Sequence, residues 1–328
     1  MKIGITGATG FLGSHLCAVL GKAGHEVRAF GRNRGKGMAL EGGGACFVAV
    51  DLRDADGLAA AFRGLDLVIH AAALSAVWGK YESFYESNVV GTENVLAACR
   101  KCGVGKLVYV SSSSVYFDFK DRFSIREEDA VAKPSPSAYT RSKLEAERRI
   151  QAATGIDWII LRPRGIFGPG DTSIIPRVLR IAQRGWFPLA RKGEVLVDLT
   201  YVGNLVRVVE LCLTAKAGAW NQVYNVSNGE PVATGDFFDQ LVEGLGLKVR
   251  KVDTAAFLIR GAATLVELAA KGLRLGEPSI TRYTAGLLCC HQTLDIAKAR
   301  NLLGYAPEIS ISEGLRRTVR AMKGDADA

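Results

Sequence analysis

The chain contains no continuous basic arm, no internal repeat and no low-complexity linker. Its formal charge is nonetheless +9, from 42 Lys and Arg against 33 Asp and Glu. Nucleic acid, a membrane surface and an anionic cofactor therefore all have to be weighed as partners. The cations are scattered or paired, as at Arg148-Arg149 and Arg316-Arg317, and no aromatic–basic RNA-binding motif is present. They read as solvated helix faces, and no nucleic-acid partner is expected. A regular cysteine framework is also missing: the seven cysteines stand at 17, 46, 99, 102, 212, 289 and 290. Such usage suits a reducing compartment, where most thiols are small buried apolar groups. Cys99-Arg-Lys-Cys102 is a lone CxxC, and His70 has no His or Cys partner at metal spacing, so no metal site is expected. Nor is there a clean membrane span. Residues 3–21 hold no Asp, Glu, Lys or Arg, but five glycines interrupt them, and 255–275 carries Arg260, Glu267, Lys271 and Arg274. The expectation is a cytoplasmic protein without a stable span.

What is present is an ordinary globular composition, 48% hydrophobic and 23% charged over 328 residues. That length suits about two structural units of ~150 residues each. The first half alternates short apolar runs at 2–6, 26–30, 46–50, 65–70, 106–111 and 158–161 with helical segments at 11–23, 55–62, 85–102 and 138–153. This alternation predicts an α/β fold, a Rossmann doubly wound parallel sheet covered on both faces. After Pro163, Gly- and Pro-containing loops separate helices expected at about 174–184, 203–214, 234–245, 256–272, 295–303 and 312–323. The division expected is 1–165 for the Rossmann unit and 166–328 for a smaller, interleaved lobe. Segments 223–226 and 195–199 are expected to return to the first sheet.

Three glycines mark the first strand–helix turn, Ile3-Gly-Ile-Thr-Gly7-Ala-Thr-Gly10-Phe-Leu-Gly13. Gly7 permits the tight turn, Gly10 lets backbone approach a pyrophosphate, and Gly13 lets helix and sheet pack closely. With Thr9, Phe11 and Leu12 in the same turn, this places phosphates at the positive end of the helix. An acidic residue ending the second strand would bind a ribose 2′-hydroxyl and repel a 2′-phosphate. Here Gly31 takes that place and Arg32 follows, with Arg34 and Lys36 nearby. A guanidinium fork suits phosphate oxygens, so NADP (NADPH) is favoured over NAD. Asp51-Leu52 ends the third strand, either facing an adenine edge or forming a plain turn. The small residues Ala71, Ala72 and Ala73 after His70 would let backbone run beside the cofactor, while His70 itself reads as a packed histidine.

Tyr139-Thr-Arg-Ser-Lys143 puts a tyrosine and a lysine on one helix face at i and i+4. It follows Ser111-Ser112-Ser113-Ser114-Val115-Tyr116 at the end of the fifth strand. An ammonium lowers the pKa of a neighbouring phenol, which is ~10 when unperturbed, and a serine hydroxyl can hold a substrate oxygen. These groups suit proton transfer coupled to hydride transfer at a carbinol or ketone.

Through these motifs the chain resembles the extended short-chain dehydrogenase/reductases of the NAD-dependent epimerase/dehydratase superfamily over essentially its whole length. Thr6–Gly13, Asn88-Val-Val-Gly-Thr-Glu-Asn-Val95, Tyr139-x-x-x-Lys143, Leu161-Arg-Pro163 and Leu303-Gly-Tyr-Ala-Pro307 carry the resemblance. It implies an NAD(P)-binding unit with Tyr139 as acid/base and Lys143 on the nicotinamide ribose. The catalytic serine it implies is Ser112, four residues before Tyr116, with Ser111 and Ser113 as alternatives. Asn88 and Ser111 fall among the implied cofactor-binding positions, and Pro163, Gly165 and Ile166 would line the nicotinamide. A homodimer through helices 85–102 and 138–153 is implied by analogy.

Sugar-nucleotide members usually carry an arginine where this chain has Val197, in Val197-Asp-Leu-Thr-Tyr-Val-Gly-Asn204. A valine cannot pair with a diphosphate, although Arg177, Arg180 or Arg191 would be substitutes. Ala76-Val-Trp78-Gly79 and Ile166-Phe-Gly-Pro-Gly-Asp171 are more similar to the 3β-hydroxysteroid dehydrogenase branch. So is the helix-rich tail with Leu265-Val-Glu-Leu268. The leading expectation is an NADP-dependent oxidoreductase acting on a hydrophobic secondary alcohol or ketone, steroid-like or a long-chain 3-oxo compound. Trp78, Ser113, Phe117 and Trp186 are its candidate substrate contacts, with Phe84, Phe119, Phe187 and Phe257 as further aromatics of an apolar pocket. For each aromatic the competing reading is plain core packing. The alternative function is a nucleotide-sugar epimerase, reductase or dehydratase. A non-catalytic cofactor-sensing or RNA-binding relative is the third, and the intact Ser112, Tyr139 and Lys143 argue against it.

Overall fold

The fold is taken from a computed structural model that describes residues 1–273 and 275–324. Arg274, counted above among the charges of 255–275, lies outside the described residues. Seven strands form one all-parallel sheet: β1 (Lys2–Thr6), β2 (Glu26–Gly31), β3 (Ala45–Ala49), β4 (Leu67–His70), β5 (Lys106–Val110), β6 (Asp157–Pro163) and β7 (Gln222–Val226). Their spatial order is β7-β6-β5-β4-β1-β2-β3. Strands β4, β5 and β6 are almost entirely apolar and buried, as expected when helices cover both faces of a sheet. Strand order reverses between β1 and β4, the position at which a doubly wound sheet opens a crevice.

The covering helices include α1 (Phe11–Lys22), α2 (Arg34–Glu41), α3 (Ala55–Ala61), α4 (Gly91–Cys102) and α5 (Ala138–Gln151). Helix α2 was not anticipated, because its sequence RGKGMALE offers no apolar stripe. Asn33 caps it by accepting a bond from Lys36 N at 3.0 Å. The expected 85–102 helix is preceded by the turn Tyr81–Phe84 and begins with a π-helical stretch, Tyr85–Val90, that runs into α4.

Beyond Pro163 the helices are α6 (Ile174–Ala182), α7 (Val202–Leu213), α8 (Thr234–Gly244), α9 (Ala256–Gly272), α10 (Arg282–Cys289), α11 (Ala297–Leu303) and α12 (Ile311–Lys323). Segment 223–226 joins the main sheet as β7, beside β6. Segment 195–199 does not. Only Leu196–Val197 is a strand, and it belongs to a second sheet ordered Val232–Ala233, Leu196–Val197, Gln292–Leu294, Arg122–Ile125. The main sheet's edge beside β6 is already taken by β7, which leaves 195–199 no partner there. Helix α10 was also absent from the expectations. Within 255–275, helix α9 (Ala256–Gly272) is exposed along most of its length, with Phe257 at 72%. No helix among the described residues is long and apolar enough to cross a membrane.

Candidate active site

A cleft of about 730 Å³ opens at the strand reversal, over the C-terminal ends of β1 and β4. Its floor is the turn between β1 and α1. Gly7 has φ +72°, and a Cβ on it would lie 2.7 Å from the backbone of Ala72. A Cβ on Gly13 would stand 2.7 Å from Ala8 Cα and collide with the Gly7 carbonyl, so α1 leaves the turn directly against it. The N-terminus of α1 has no side-chain cap and no acidic residue in its first turn. Its free peptide N–H groups therefore face the cleft, an arrangement that holds phosphate. Gly7, Thr9, Gly10, Phe11, Leu12 and Gly13 all line this end.

The neighbouring strand ends complete the cradle. Arg32, just past β2, lines the cleft, is exposed and forms no ion pair among the described residues. Asp51 also lines it, but its carboxylate is held by Arg53 at 2.8 Å, a bond that brings its pKa down to about 2. Leu52, Ala71, Ala72 and Ala73 are wall residues. Asn88 is absent from the lining. It sits buried in the π-helical stretch, where its amide accepts from Leu74 N at 2.7 Å and donates to Leu74 O at 3.1 Å and to Ser142 Oγ at 2.9 Å. It braces the loop after β4 against α5. His70 is likewise internal, bonded to Thr6 Oγ1 at 2.7 Å and Thr92 Oγ1 at 2.9 Å, and burial presses its pKa down to about 3. The uncapped helix and the glycine cradle fit an NAD(P)-type dinucleotide.

At the other end of the cleft stand Ser111, Ser112, Ser113, Tyr139, Lys143, Pro163, Gly165 and Ile166. The serines are not equivalent. The Ser111 hydroxyl donates to Glu147 Oε1 at 2.5 Å and is engaged in the core. Ser113 is buried, whereas Ser112 is partly exposed and its hydroxyl pulls down the pKa of Tyr139. Burial and the neighbouring Tyr283 push that pKa the other way, and the net direction is well above the ordinary phenol value. Tyr139 therefore stands protonated. Lys143, 2% exposed, donates to Val110 O at 2.7 Å and to Tyr109 OH at 3.2 Å. Burial lowers its pKa to about 7, opposed by Glu147.

The expected aromatic pocket is not assembled. Phe117 is fully enclosed behind the serine turn, packed on Phe119 and edge-on to Tyr283. Trp186 lies in a separate strand pair with Arg250–Asp253 and is 44% exposed. Trp78 meets Lys271 of α9 and does not line the cleft. Phe84 and Phe187 are core residues. Contact of Phe117 and Trp186 with a substrate in this cleft is thereby corrected: one is sealed into the core and the other belongs to another element. The cleft instead receives Tyr283, Thr284 and Leu287 from α10, with Arg164 and Arg177. Nothing in the sequence marks Tyr283, and Arg164 falls inside the 163–166 stretch expected beside the nicotinamide without a role of its own. The only local signal for Arg164 was its place directly after Leu161-Arg-Pro163.

Residues 3–227 match the model of the NAD dependent epimerase/dehydratase family. The chain is 37% identical to the 2-alkyl-3-oxoalkanoate reductase of Stenotrophomonas maltophilia, covering 97% of this chain and 98% of that protein. It is 28% identical to the mouse (Mus musculus) sterol-4-alpha-carboxylate 3-dehydrogenase, decarboxylating, covering 98% and 90%. Among solved structures, UDP-glucuronic acid 4-epimerase from Bacillus cereus in complex with NAD superposes with a TM-score of 0.78 over all of both chains, at 24% identity.

Proposed function

This chain belongs to the NAD dependent epimerase/dehydratase family and is an NAD(P)-dependent oxidoreductase, and from that premise we propose that it reduces the ketone of a long-chain 3-oxo acid with NADPH. The observation that carries the reading is one cleft that takes Tyr139, Lys143 and the partly exposed Ser112 at one end and the uncapped N-terminus of α1 at the other. The 2-alkyl-3-oxoalkanoate reductase relative supports the substrate class, and the unpaired Arg32 supports NADPH over NADH. Residues 1–165 then hold the dinucleotide, and 166–328 supply most contacts to the substrate.

Bound NADPH supplies a hydride to the carbonyl carbon. Ser112 donates a hydrogen bond to the carbonyl oxygen and fixes its position. Tyr139 gives its phenolic proton to the same oxygen as negative charge develops there. In this reading Lys143, one helical turn on, supplies the ammonium that favours the phenolate left behind. Asn88 keeps the wall of the site in register with α5.

Oxidation of NADPH and of NADH is measured against long-chain 3-oxo acids, steroid ketones and 4-keto nucleotide sugars. Turnover of a 3-oxo acid, faster with NADPH, is expected, and Tyr139→Phe is expected to fold and bind NADPH without turning over. Turnover of keto sugars alone would replace this reading with the nucleotide-sugar one, for which Arg177 in the cleft wall is the available clamp. Arg191 is bound to Asp121 at 2.8 Å and Arg180 is exposed outside the cleft.

A further inference from the structure

The substrate end of the cleft carries positive charge and unmet hydrogen-bonding capacity that the hydride-transfer chemistry does not use. Arg164 is 8% exposed and lines the cleft, yet its guanidinium has no hydrogen bond or ion pair among the described residues. The carboxylate that most nearly compensates it, Asp198, is fully buried. It accepts from Leu294 N through Oδ2 at 2.6 Å, with the Ser227 hydroxyl also beside it. Across the cleft wall, Ser114 is 3% exposed and its hydroxyl has no well-formed hydrogen bond, although it lies within reach of Tyr283. Between them stands Tyr283, close enough for its ionisation to be coupled both to Arg164 and to Tyr139. Arg177 adds a second cation to the wall, with Glu277 at 3.9 Å and Asp171 also near it.

A guanidinium does not lose its proton in a protein, so burying one without a partner is costly. Buried polar atoms left unpaired in a folded chain call for an explanation such as a missing ligand. Here the buried Ser114 hydroxyl and the unpaired Arg164 guanidinium line the same cleft and both neighbour Tyr283, which in turn neighbours Tyr139. We propose that Arg164, assisted by Ser114 and Arg177, is the binding site for a single carboxylate located one carbon from the reacting carbonyl. The proposal rests on the 3-oxo acid reading given above and names the group by which such a substrate is oriented. One planar carboxylate matches one guanidinium fork. The diphosphate of a nucleotide sugar is larger, more highly charged and several bonds removed from the reacting carbon. Arg164 shares the catalytic end of the cleft with Pro163, Gly165 and Ile166, apart from the phosphate-holding turn at Gly7–Gly13. Arg164 is thus a positioning and specificity residue.

The test is calorimetric titration of the NADP-loaded protein with 3-hydroxytetradecanoate and with its methyl ester, which keeps the chain and the carbinol but removes the charge. The acid is expected to bind about 10- to 100-fold more tightly than the ester, the range of a lost charged hydrogen bond. Arg164→Gln is expected to abolish that preference and Arg164→Lys to restore part of it. Equal affinity for acid and ester, or binding of neither, in the unmodified protein overturns the proposal and depends on no variant folding. A preference that survives in a folded Arg164→Gln protein overturns it as well. Reduction of the corresponding 3-oxo acid and ester is followed in parallel. An acid that binds tightly and is not reduced leaves the carboxylate site standing and removes the reductase reading. Reduction of acid and ester with equal efficiency does the reverse.

Discussion

Lys143 shows how a single side chain links chemistry to stability. Its ammonium is buried, held by the Val110 carbonyl and the Tyr109 hydroxyl, and Tyr109 is itself kept neutral by burial. In the unfolded chain a lysine titrates near ~10.4, whereas here burial brings the pKa down to about 7. Between those values the unfolded state binds more protons than the folded one, so stability from this group rises with pH. The cost of burying the ammonium is fully present below about pH 7 and is relieved as pH climbs towards ~10.4. Lys143→Met removes the titration. Its melting temperature minus that of the unmodified protein is expected to be largest below pH 7 and to fall steadily up to pH 10. A difference that does not vary with pH would contradict the assignment.

At the scale of elements, α10 decides what the substrate end of the cleft looks like. Its N-terminus is tied by Thr281 and Thr284, whose side chains bond reciprocally to each other's backbone N–H groups. A capping box usually carries Glu or Gln at the second position, and a threonine there hides the signal in the sequence. The helix presents Tyr283 and Leu287 to the cleft and lays Gly286 on the rings of Phe117 and Phe119. A Cβ at Gly286 would stand 2.8 Å from Phe119 and 2.9 Å from Phe117. Phe117 is fully buried and cannot turn away. Gly286→Ala is therefore expected to destabilise the protein by about 1–3 kcal/mol. It should also lower kcat/KM by moving Tyr283 and Arg164 out of register. Denaturant unfolding together with steady-state kinetics checks both, and an unchanged protein would mean that α10 shifts freely.

Across the molecule, one buried polar network joins the main sheet to what lies beyond it. Arg162 on β6 donates to Glu147 on α5 at 2.6 and 3.0 Å and to Tyr116 at 2.5 Å. Tyr116 donates to Asn225 on β7, whose amide reaches Ile125 of the second sheet. Glu147 also receives Ser111, which leaves Ser112 as the serine open to the cleft. Both partners of the ion pair are nearly inaccessible. Removing one charge strands the other, so Glu147→Ala is expected to cost about 3–5 kcal/mol in urea unfolding. The paired Glu147→Met, Arg162→Met protein should recover most of that loss. A Glu147→Ala protein within about 1 kcal/mol of the original would show that water replaces the carboxylate.

The residues from 3 to 163 declared much of the fold because the signals involved are local. A strand followed by Gly7, Gly10 and Gly13, or a tyrosine and lysine one helical turn apart, is confined to a few consecutive residues. Their geometry follows from backbone sterics and helical period. The succession of strands and helices along the first half and the one-turn spacing of Tyr139 and Lys143 were legible for that reason. What packing alone decided lacks a local period. Whether Phe117 faced a ligand or the core, and whether 195–199 joined the first sheet, depended on which partners had already filled the neighbouring space. Arg164 and Tyr283 meet only because β6 and α10, far apart in the chain, converge on the same end of the cleft. A charge left without a counter-ion is a property of that convergence, since a sequence specifies which charges exist but only the folded arrangement sets which of them can pair.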